Sequence, residues 1–246
     1  MSEQIWAIFL DFDGTLVDIA ERPDAIVVDP GLPGLLTELR WRLGGAAAIV
    51  TGRRVSEITG FLPDLPLDIC GLHGLERRIG GRVAHPAGLA ELAPEIEALR
   101  VKLALFPGIL IEDKQVGVAV HWRQAPEAAA EALAAITDLA DRLGPAYRVQ
   151  DGKAVREIVP ADAGKGGAVR ALMSTAPYAG RVPIFAGDDR TDEDGFAAVE
   201  ELGGVAIKVG AGETLARHRA HTARDFRQWL GAFAKGRSTP ADFPPA

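Results

Sequence analysis

The sequence predicts an α/β fold in which a doubly wound, mostly parallel sheet is interrupted by a small α+β insert. Short, almost unbroken apolar runs alternate with segments of helical length in two parts of the chain, before residue 82 and after residue 160. Such runs are typical of strands that are buried on both faces of a parallel sheet. The 246 residues, 48% of them hydrophobic, suffice for one large domain or two small ones with buried cores.

The elements of the two halves follow from this alternation. The first half predicts a strand over residues 5–10, a helix over 33–43, a strand over 45–52, a helix over 54–61 and a strand over 67–71. The second half predicts a helix over residues 165–175, a strand over 182–189, a helix over 191–202, a strand over 204–210 and a helix over 224–235. The proline-containing tail over residues 236–246 is expected to be frayed.

The middle of the chain has a different pattern of predicted secondary structure. Hairpin-like patterns occur in "ERRIGGRVAHP" and "GILIEDKQVGVAVHWR", and helices are predicted over residues 89–106 and 126–143. We place the insert at residues 83–159, between Rossmann-like core segments at residues 1–82 and 160–246.

Composition excludes several classes of protein. A formal charge of −7 and a pI near 5.3 offer no basic surface to nucleic acid. The single Cys70 cannot form an intrachain disulfide, and the first apolar run is too short for a signal peptide or a membrane span. We therefore expect a cytoplasmic protein that acts on a small molecule, with no nucleic acid, membrane or protein partner.

Polar residues collect at the predicted carboxyl ends of the strands, where open parallel sheets place their reactive groups. They are Asp11 and Asp13 after the first strand, Thr51, Gly52 and Arg53 after the second, Lys165 at the start of a helix, and Asp188 with Asp189 after "VPIFAG".

Asp11 and Asp13 stand two positions apart, so both carboxyl groups can face one ligand. Gly14 permits a sharp turn there. Several carboxylates at one sheet edge repel one another unless a cation joins them, and a hard divalent ion prefers such oxygen ligands. We expect Mg²⁺, with Asp11, Asp13 and Asp188 as candidate ligands beside a backbone carbonyl; no Cys or His cluster in the sequence suggests zinc.

These motifs resemble the haloacid dehalogenase-like phosphatases, in which "DFDGT", "TGR", a lone lysine and "GDDRTDED" occur in this order and spacing. The resemblance implies that Asp11 is the nucleophile and Asp13 the general acid and base, that Thr51 and Lys165 hold the phosphoryl group, and that Asp188 binds Mg²⁺. The insert then corresponds to a cap domain.

The remaining acidic residues admit other interpretations. Asp189, Asp192 and Asp194 can simply favour a helix N-terminus, which is the interpretation that we prefer for Asp194. We expect Asp189 and Asp192 to support the site, and Asp192 to order the metal waters or Lys165. "DAGKGG" lacks the earlier glycine and the following Ser or Thr of a nucleotide-binding loop, so Asp162 is interpreted as a helix N-cap.

The insert carries a second resemblance. "IEDKQVGVAVHWR" and "KAVREIVP", together with "GLHG" and "GDDRTDEDGF", are similar to the trehalose-6-phosphate phosphatase family over roughly residues 5–230. The resemblance implies Mg²⁺-dependent hydrolysis through an aspartyl-phosphate, with Glu112, Lys114 and Glu157 on the distal glucose. Gly52 and Arg53 are expected at the pocket edge.

Several questions stay open at this point. His121 and Arg123 either position the substrate or tie the cap together, and His73 in "GLHG" is undecided. Sucrose 6-phosphate and glucosyl-3-phosphoglycerate remain alternative substrates. A phosphomutase on the same scaffold and a catalytically inactive sugar-phosphate sensor remain alternative functions.

Overall fold

The computed structural model describes residues 5–20, 25–84, 92–114, 116–152, 154–161 and 163–246. The chain forms two compact units, Met1–His85 with Gly164–Ala246, and Pro86–Ala163.

The secondary structure of the described residues is as follows. The strands are β1 (Trp6–Leu10), β2 (Ala47–Val50), β3 (Asp68–Gly71), β4 (Glu76–Ile79), β5 (Arg82–Ala84), β6 (Leu110–Asp113), β7 (Val118–His121), β8 (Tyr147–Gly152), β9 (Val155–Pro160), β10 (Val182–Gly187), β11 (Val205–Val209) and β12 (His218–Ala220). The helices are α1 (Leu32–Arg42), α2 (Val55–Phe61), α3 (Ala93–Lys102), α4 (Ala129–Leu143), α5 (Lys165–Met173), α6 (Glu193–Glu201) and α7 (Ala223–Ala234). The predicted α/β alternation is confirmed, with β8, β9 and β12 as strands that the sequence did not reveal.

The first unit is built on an eight-stranded sheet in the order β12-β11-β10-β1-β2-β3-β4-β5. The six strands from β12 to β3 pair in parallel. β1 lies in the middle, and the chain builds the sheet outward from it in one direction and later, through β10, in the other. This is a doubly wound topology, in which ligands bind where the direction of building reverses.

Both faces of this sheet are buried, which explains the unbroken apolar runs. Ile8 and Leu10 pack on one side, in the cluster that includes α1, α2 and α7. Ala7 and Phe9 pack on the other side, with α5 and α6. The side chains alternate in direction along the strand, so a strand between two helical layers must be apolar at every position.

The hairpin of β4 and β5 belongs to this unit. β4 pairs antiparallel with β3, and β5 with β4, so the two strands extend the edge of the large sheet. Gly80 and Gly81 both have positive φ, at 56° and 81°, as a tight two-residue turn between antiparallel strands requires.

The second unit is a four-stranded antiparallel sheet in the order β6-β7-β9-β8, with α3 and α4 packed on it. Val118, Val120 and Ile158 join both helices in one apolar cluster. Helix α4 is rich in alanine, which lets its backbone approach the sheet closely. The predicted helix over residues 89–106 is described only from residue 92 onward, and its helical part is α3.

The tail is packed, and our expectation that it is frayed was wrong. The Phe243 ring lies 5.0 Å from the Trp229 ring and 6.4 Å from the Phe226 ring, between centroids. Trp229 Nε1 donates to the Thr239 carbonyl at 2.9 Å, and the Arg219 amide donates to the Pro244 carbonyl at 3.0 Å. Composition alone suggested disorder, but the aromatic contact with α7 and these hydrogen bonds hold the segment.

Candidate active site

The carboxyl ends of three neighbouring strands bring the sequence motifs together. Asp11 follows β1, and its amide donates to the Ala186 carbonyl of β10 at 2.9 Å. Thr51 follows β2 on the other side of β1, and its amide donates to the Cys70 carbonyl at 2.9 Å. Asp188 follows β10 directly. The sheet order thus fixes these residues around one point.

Lys165 lies at the centre of this arrangement. Its Nζ donates to Asp11 Oδ1 at 2.7 Å and to Asp192 Oδ1 at 2.6 Å. The side chains of all three residues are at most 5% exposed. Burial alone would lower the pKa of Lys165, but the charges of Asp11 and Asp192 raise it above its ordinary value. The lysine is therefore a permanent cation between two buried carboxyl groups.

Burial acts in the opposite direction on the carboxyl groups. It is the largest influence on Asp11 and Asp192 and raises the pKa of each to about 7, against the attraction of Lys165. Burial also raises the pKa of Asp188 to about 6, with the charges of Asp192 and Asp189 adding to the effect. One lysine does not compensate for three carboxylates in a low-dielectric site.

A metal ion fits this cluster. Asp11, Asp188 and Asp192 each offer a carboxylate oxygen, and these oxygens lie within 4.8 Å of one another. The carboxylate of Asp192 already accepts several hydrogen bonds: besides the bond from Lys165, its Oδ2 accepts from the amides of Asp188 and Asp189, at 3.0 Å each. An all-oxygen set with shared excess negative charge suits Mg²⁺.

The side chain of Asp13 is not part of this carboxylate group. Arg53 Nε donates to Asp13 Oδ2 at 2.7 Å, and Arg53 Nη2 donates to Asp13 Oδ1 at 2.8 Å. The carboxylate of Asp13 is thus directed to an arginine and not to the cluster of Asp11, Asp188 and Asp192. The pKa of Arg53 is raised by these hydrogen bonds.

Two glycines and a lysine shape the Asp188 loop. Gly14 has φ +75°, and a Cβ there would collide with the carboxylate of Asp188. A Cβ at Gly187 would collide with Asp192. Lys208, 4% exposed on β11, donates from Nζ to the Asp188 carbonyl. The sequence analysis missed Lys208; the signal was a single lysine inside the buried strand "GVAIKVG".

His73 joins two of the motifs through its backbone. Its amide donates to the Thr51 carbonyl at 3.0 Å, and its carbonyl accepts from the Gly164 amide at 2.9 Å, just before Lys165. The residue has φ +56°, an uncommon conformation for histidine. The "GLHG" turn therefore positions the start of α5 against the loop that follows β2.

The N-terminus of α5 is held by Asp194, whose Oδ2 accepts from the Gly166 amide at 2.9 Å. Asp194 was expected to favour a helix N-terminus, and it caps this helix from the first turn of α6. Asp162, predicted as the N-cap, lies outside the described residues. Asp189 accepts from the amide and hydroxyl of Thr191, at 2.8 and 2.7 Å.

In the second unit, Glu112, Ala119 and Glu157 lie directly opposite one another on β6, β7 and β9. Lys114 Nζ donates to Glu157 Oε2 at 3.0 Å, and His121 Nε2 lies 3.1 Å from Glu112 Oε2. These residues thus form a polar cluster on one sheet. Arg123, two residues beyond the end of β7, is not among the residues of these pairs.

A buried carboxylate beside a lysine, a threonine and a carboxylate cluster, on a doubly wound sheet with an inserted α+β unit, defines a phosphatase of the haloacid dehalogenase-like class. Solved structures of that class share the fold. A Bacteroides thetaiotaomicron phosphatase of this superfamily is 16% identical, with a TM-score of 0.62 over 96% of this chain and 97% of that chain.

Closer similarities identify the family. The trehalose-phosphatase family model matches residues 9–227. A probable trehalose-phosphate phosphatase of Sinorhizobium fredii is 45% identical over 83% of this chain and 78% of that protein. Trehalose-6-phosphate phosphatase of Escherichia coli is 37% identical over 92% of this chain and 85% of that protein. A trehalose-6-phosphate phosphatase of Aspergillus fumigatus, 24% identical, has a TM-score of 0.74 over 95% of this chain and 94% of that chain. The chain belongs to the trehalose-phosphatase family and is a phosphatase.

None of the helices in the described ranges is long and apolar enough to cross a membrane.

The close approach of Gly14 to Asp188 predicts the effect of a single methyl group. Gly14→Ala should lower kcat/KM about a hundredfold, because Asp188 or the turn after β1 must move to admit the Cβ. The matched control is Gly203→Ala, at φ +72° with no atom within 4 Å of its Cβ position, which bears the same backbone strain without the collision. Steady-state kinetics and thermal melts of both variants check this. Equal activity losses would mean that strain alone is responsible.

Proposed function

We propose that this protein hydrolyses trehalose 6-phosphate to trehalose and inorganic phosphate, in a Mg²⁺-dependent reaction through an aspartyl-phosphate on Asp11. The observation that carries the chemistry is the buried Lys165, which joins Asp11 to Asp192 beside Asp188. The names of the relatives in Sinorhizobium fredii and Escherichia coli support the substrate.

In the first step, a carboxylate oxygen of Asp11 attacks phosphorus while the ester P–O bond breaks. Lys165 occupies Asp11 Oδ1, so we assign the attack to Oδ2. Protonated Asp13 transfers its proton to the departing sugar oxygen, which would otherwise leave as a poor alkoxide. Thr51 and Lys165 donate to the phosphoryl oxygens, and Gly52 lets the backbone come close to them.

In the second step, water attacks the phosphorus of the aspartyl-phosphate. Asp13, now a carboxylate, accepts a proton from this water, and the P–O bond to Asp11 breaks with its electron pair returning to Asp11. Inorganic phosphate leaves, and Asp13 retains the proton for the next cycle. A carboxylate nucleophile with a second carboxyl group two residues away thus serves both steps.

We propose that Asp11 and Asp188 bind Mg²⁺ directly, together with the main-chain carbonyl of Asp13. Asp192 and Asp189 support this site, because their carboxylates already accept hydrogen bonds from the loop after β10 and, for Asp192, from Lys165. The carboxylates of the site repel the negatively charged phosphate group of the substrate. When bound, the ion would neutralise both the carboxylates and the phosphoryl oxygens.

We propose that Glu112, Lys114 and Glu157 hold the distal glucose, with His121 and Arg123 beside them. Their register supports this: Glu112 and Glu157 flank Ala119 in one row across three strands, so both carboxylates belong to the same face of the sheet. Carboxylates accept from vicinal hydroxyl groups, and an ammonium donates to them. The side chains of Lys114 and Glu157, 31% and 24% exposed, are accessible to a ligand.

A phosphomutase would use the same aspartyl-phosphate but return the group to a sugar, and a sensor would bind without turnover. The intact charged set at the strand ends favours turnover, and release of inorganic phosphate separates a phosphatase from the other two functions. Sucrose 6-phosphate and glucosyl-3-phosphoglycerate complete the substrate panel.

The pKa values predict how Mg²⁺ binding depends on pH. With pKa values of about 6 to 7 in place of 3.8, Asp11, Asp188 and Asp192 keep protons in the folded state that the unfolded chain has lost. The stability of the metal-free protein should therefore fall as pH rises from about 4 to 7. Since Mg²⁺ needs the charged carboxylates, its stabilisation should be larger at pH 8 than at pH 5.5.

Differential scanning fluorimetry of chelator-treated protein checks this. At a hundredfold excess over Kd, Mg²⁺ should raise Tm by about 5–10 °C at pH 8. Asp188→Asn should abolish the shift, whereas Asp141→Asn, at an exposed position on α4, should keep it. A shift that is equal at both pH values would contradict the assignment.

The nucleophile is tested by Asp11→Asn, which should reduce turnover below detection while the protein stays folded, because an amide of nearly the same shape cannot attack phosphorus. Asp13→Asn should slow both chemical steps instead. Rapid quenching of the parent protein and peptide mapping should locate the phosphoryl group on Asp11. Its recovery on another residue would refute the mechanism.

The sugar site is tested by comparing two esters. Alanine at Glu112, Lys114 or Glu157 should cost about 1.5–3 kcal/mol, or roughly ten- to a hundredfold in kcat/KM, with trehalose 6-phosphate. With p-nitrophenyl phosphate, which has no sugar, the loss should be within a few-fold. Glu131→Ala, at an exposed position on α4, is the control and should change neither. Equal losses on both esters would indicate a structural role, and faster hydrolysis of sucrose 6-phosphate would overturn the substrate.

A further inference from the structure

Arg53 forms a two-point contact with Asp13 that uses both oxygens of the carboxylate. The distances are 2.7 Å from Nε to Oδ2 and 2.8 Å from Nη2 to Oδ1. The arginine side chain is 11% exposed and that of Asp13 38%. A planar guanidinium that binds both oxygens fixes the plane of the carboxylate as well as its distance, which a single contact does not.

The arginine is itself held from several sides. Its Cζ lies 5.2 Å from the centroid of the Phe61 ring, and its Nη1 donates to Glu57 Oε1 at 3.4 Å. The Phe61 ring stacks in turn on Phe12, the residue between the two aspartates, with centroids 6.0 Å apart. The backbone is fixed as well, since the Arg53 carbonyl accepts from the Leu72 amide at 2.9 Å.

These contacts occupy the Nε–Nη2 edge of the guanidinium. Three of its five N–H groups donate to carboxylates, two to Asp13 and one to Glu57. A phosphoryl group bound at the Nε–Nη2 edge would displace Asp13 and break the two shortest of these contacts. The exchange would also leave Asp13 free to rotate.

We propose that Arg53 is a positioning residue for Asp13 and that it acts on catalysis through Asp13, not as a ligand of the phosphoryl group. This inference rests on the proposed role of Asp13 as acid and base. A proton donor must be aligned with the leaving oxygen, and small errors in alignment are costly. Arg53 sets that alignment from the loop after β2, while Phe61 and Glu57 of α2 hold Arg53.

The choice of leaving group separates the two roles. An alkyl ester such as trehalose 6-phosphate needs a proton on its leaving oxygen, whereas p-nitrophenolate leaves without one. Arg53→Gln should therefore lose about ten- to a hundredfold in kcat/KM on the alkyl ester and only a few-fold on the aryl ester. Inorganic phosphate, used as a competitive inhibitor, should keep its inhibition constant within a few-fold. Arg54→Gln, the same change at the next, exposed residue, should alter none of these values.

A double-mutant cycle supplies the second readout. In an Asp13→Asn background, Arg53→Gln should cost less than about threefold more, because two residues that act as one unit are not additive. Arg53→Lys keeps the charge without the fork and should show the same selective loss, which covers the case that the glutamine variant folds poorly.

Equal losses on both esters, additivity in the cycle, or weaker inhibition by phosphate would overturn the proposal and make Arg53 a phosphate ligand. The proposed function fails separately, if Asp13→Asn retains full activity on the alkyl ester. In that case Arg53 has no acid to position, and the inference falls with it.

Discussion

The structure of the site depends on one buried cation. Lys165 lies between Asp11 and Asp192 with only 3% of its side chain exposed, and both carboxylates are as deeply buried. Moving these carboxyl groups out of water is unfavourable, and the lysine offsets only part of the cost. The raised pKa values of Asp11 and Asp188 reflect the part of this cost that the lysine does not offset. A further positive charge would be stabilised at this site, which supports the proposal that the nucleophile and the metal ligands lie together there.

Contacts from several parts of the chain together position Lys165. Lys165 is the first residue of α5, whose N-terminus is held by Asp194 from α6 and by the carbonyl of His73 from the "GLHG" turn. The glycines of the motifs follow from the same crowding. A Cβ at Gly14 or Gly187 would overlap a carboxylate of the site, so glycine is required there by space. The glycines in the motifs are therefore explained by close packing around charged groups.

The two faces of the sheet in the second unit carry different kinds of residues. Val118, Val120 and Ile158 face α3 and α4 and supply the core. The alternate positions carry Glu112, Ala119 and Glu157 in one row across three strands. Antiparallel sheets permit this division because successive side chains point to opposite faces. The polar residues on one face can then change while the packing on the other face is kept.

The sequence by itself determined the α/β alternation, the parallel strands and the motif residues Asp11, Thr51, Lys165 and Asp188. Strands buried on both faces must be apolar throughout, and polar residues at their ends then stand out. These patterns are local, so they can be recognised in the amino-acid sequence without the structure.

Only the tertiary structure decided which charges meet. The pairing of Asp13 with Arg53 joins residues 40 apart, and that of Asp11 with Lys165 joins residues 154 apart. The contact of Lys208 with the Asp188 loop likewise depends on β11 lying beside β10. Composition also misled us about the tail, since Phe243 docks on Trp229 of α7 through a contact that no local pattern reveals. Partners that are distant in sequence are chosen by strand order and packing, and neither is written in any short segment of the chain.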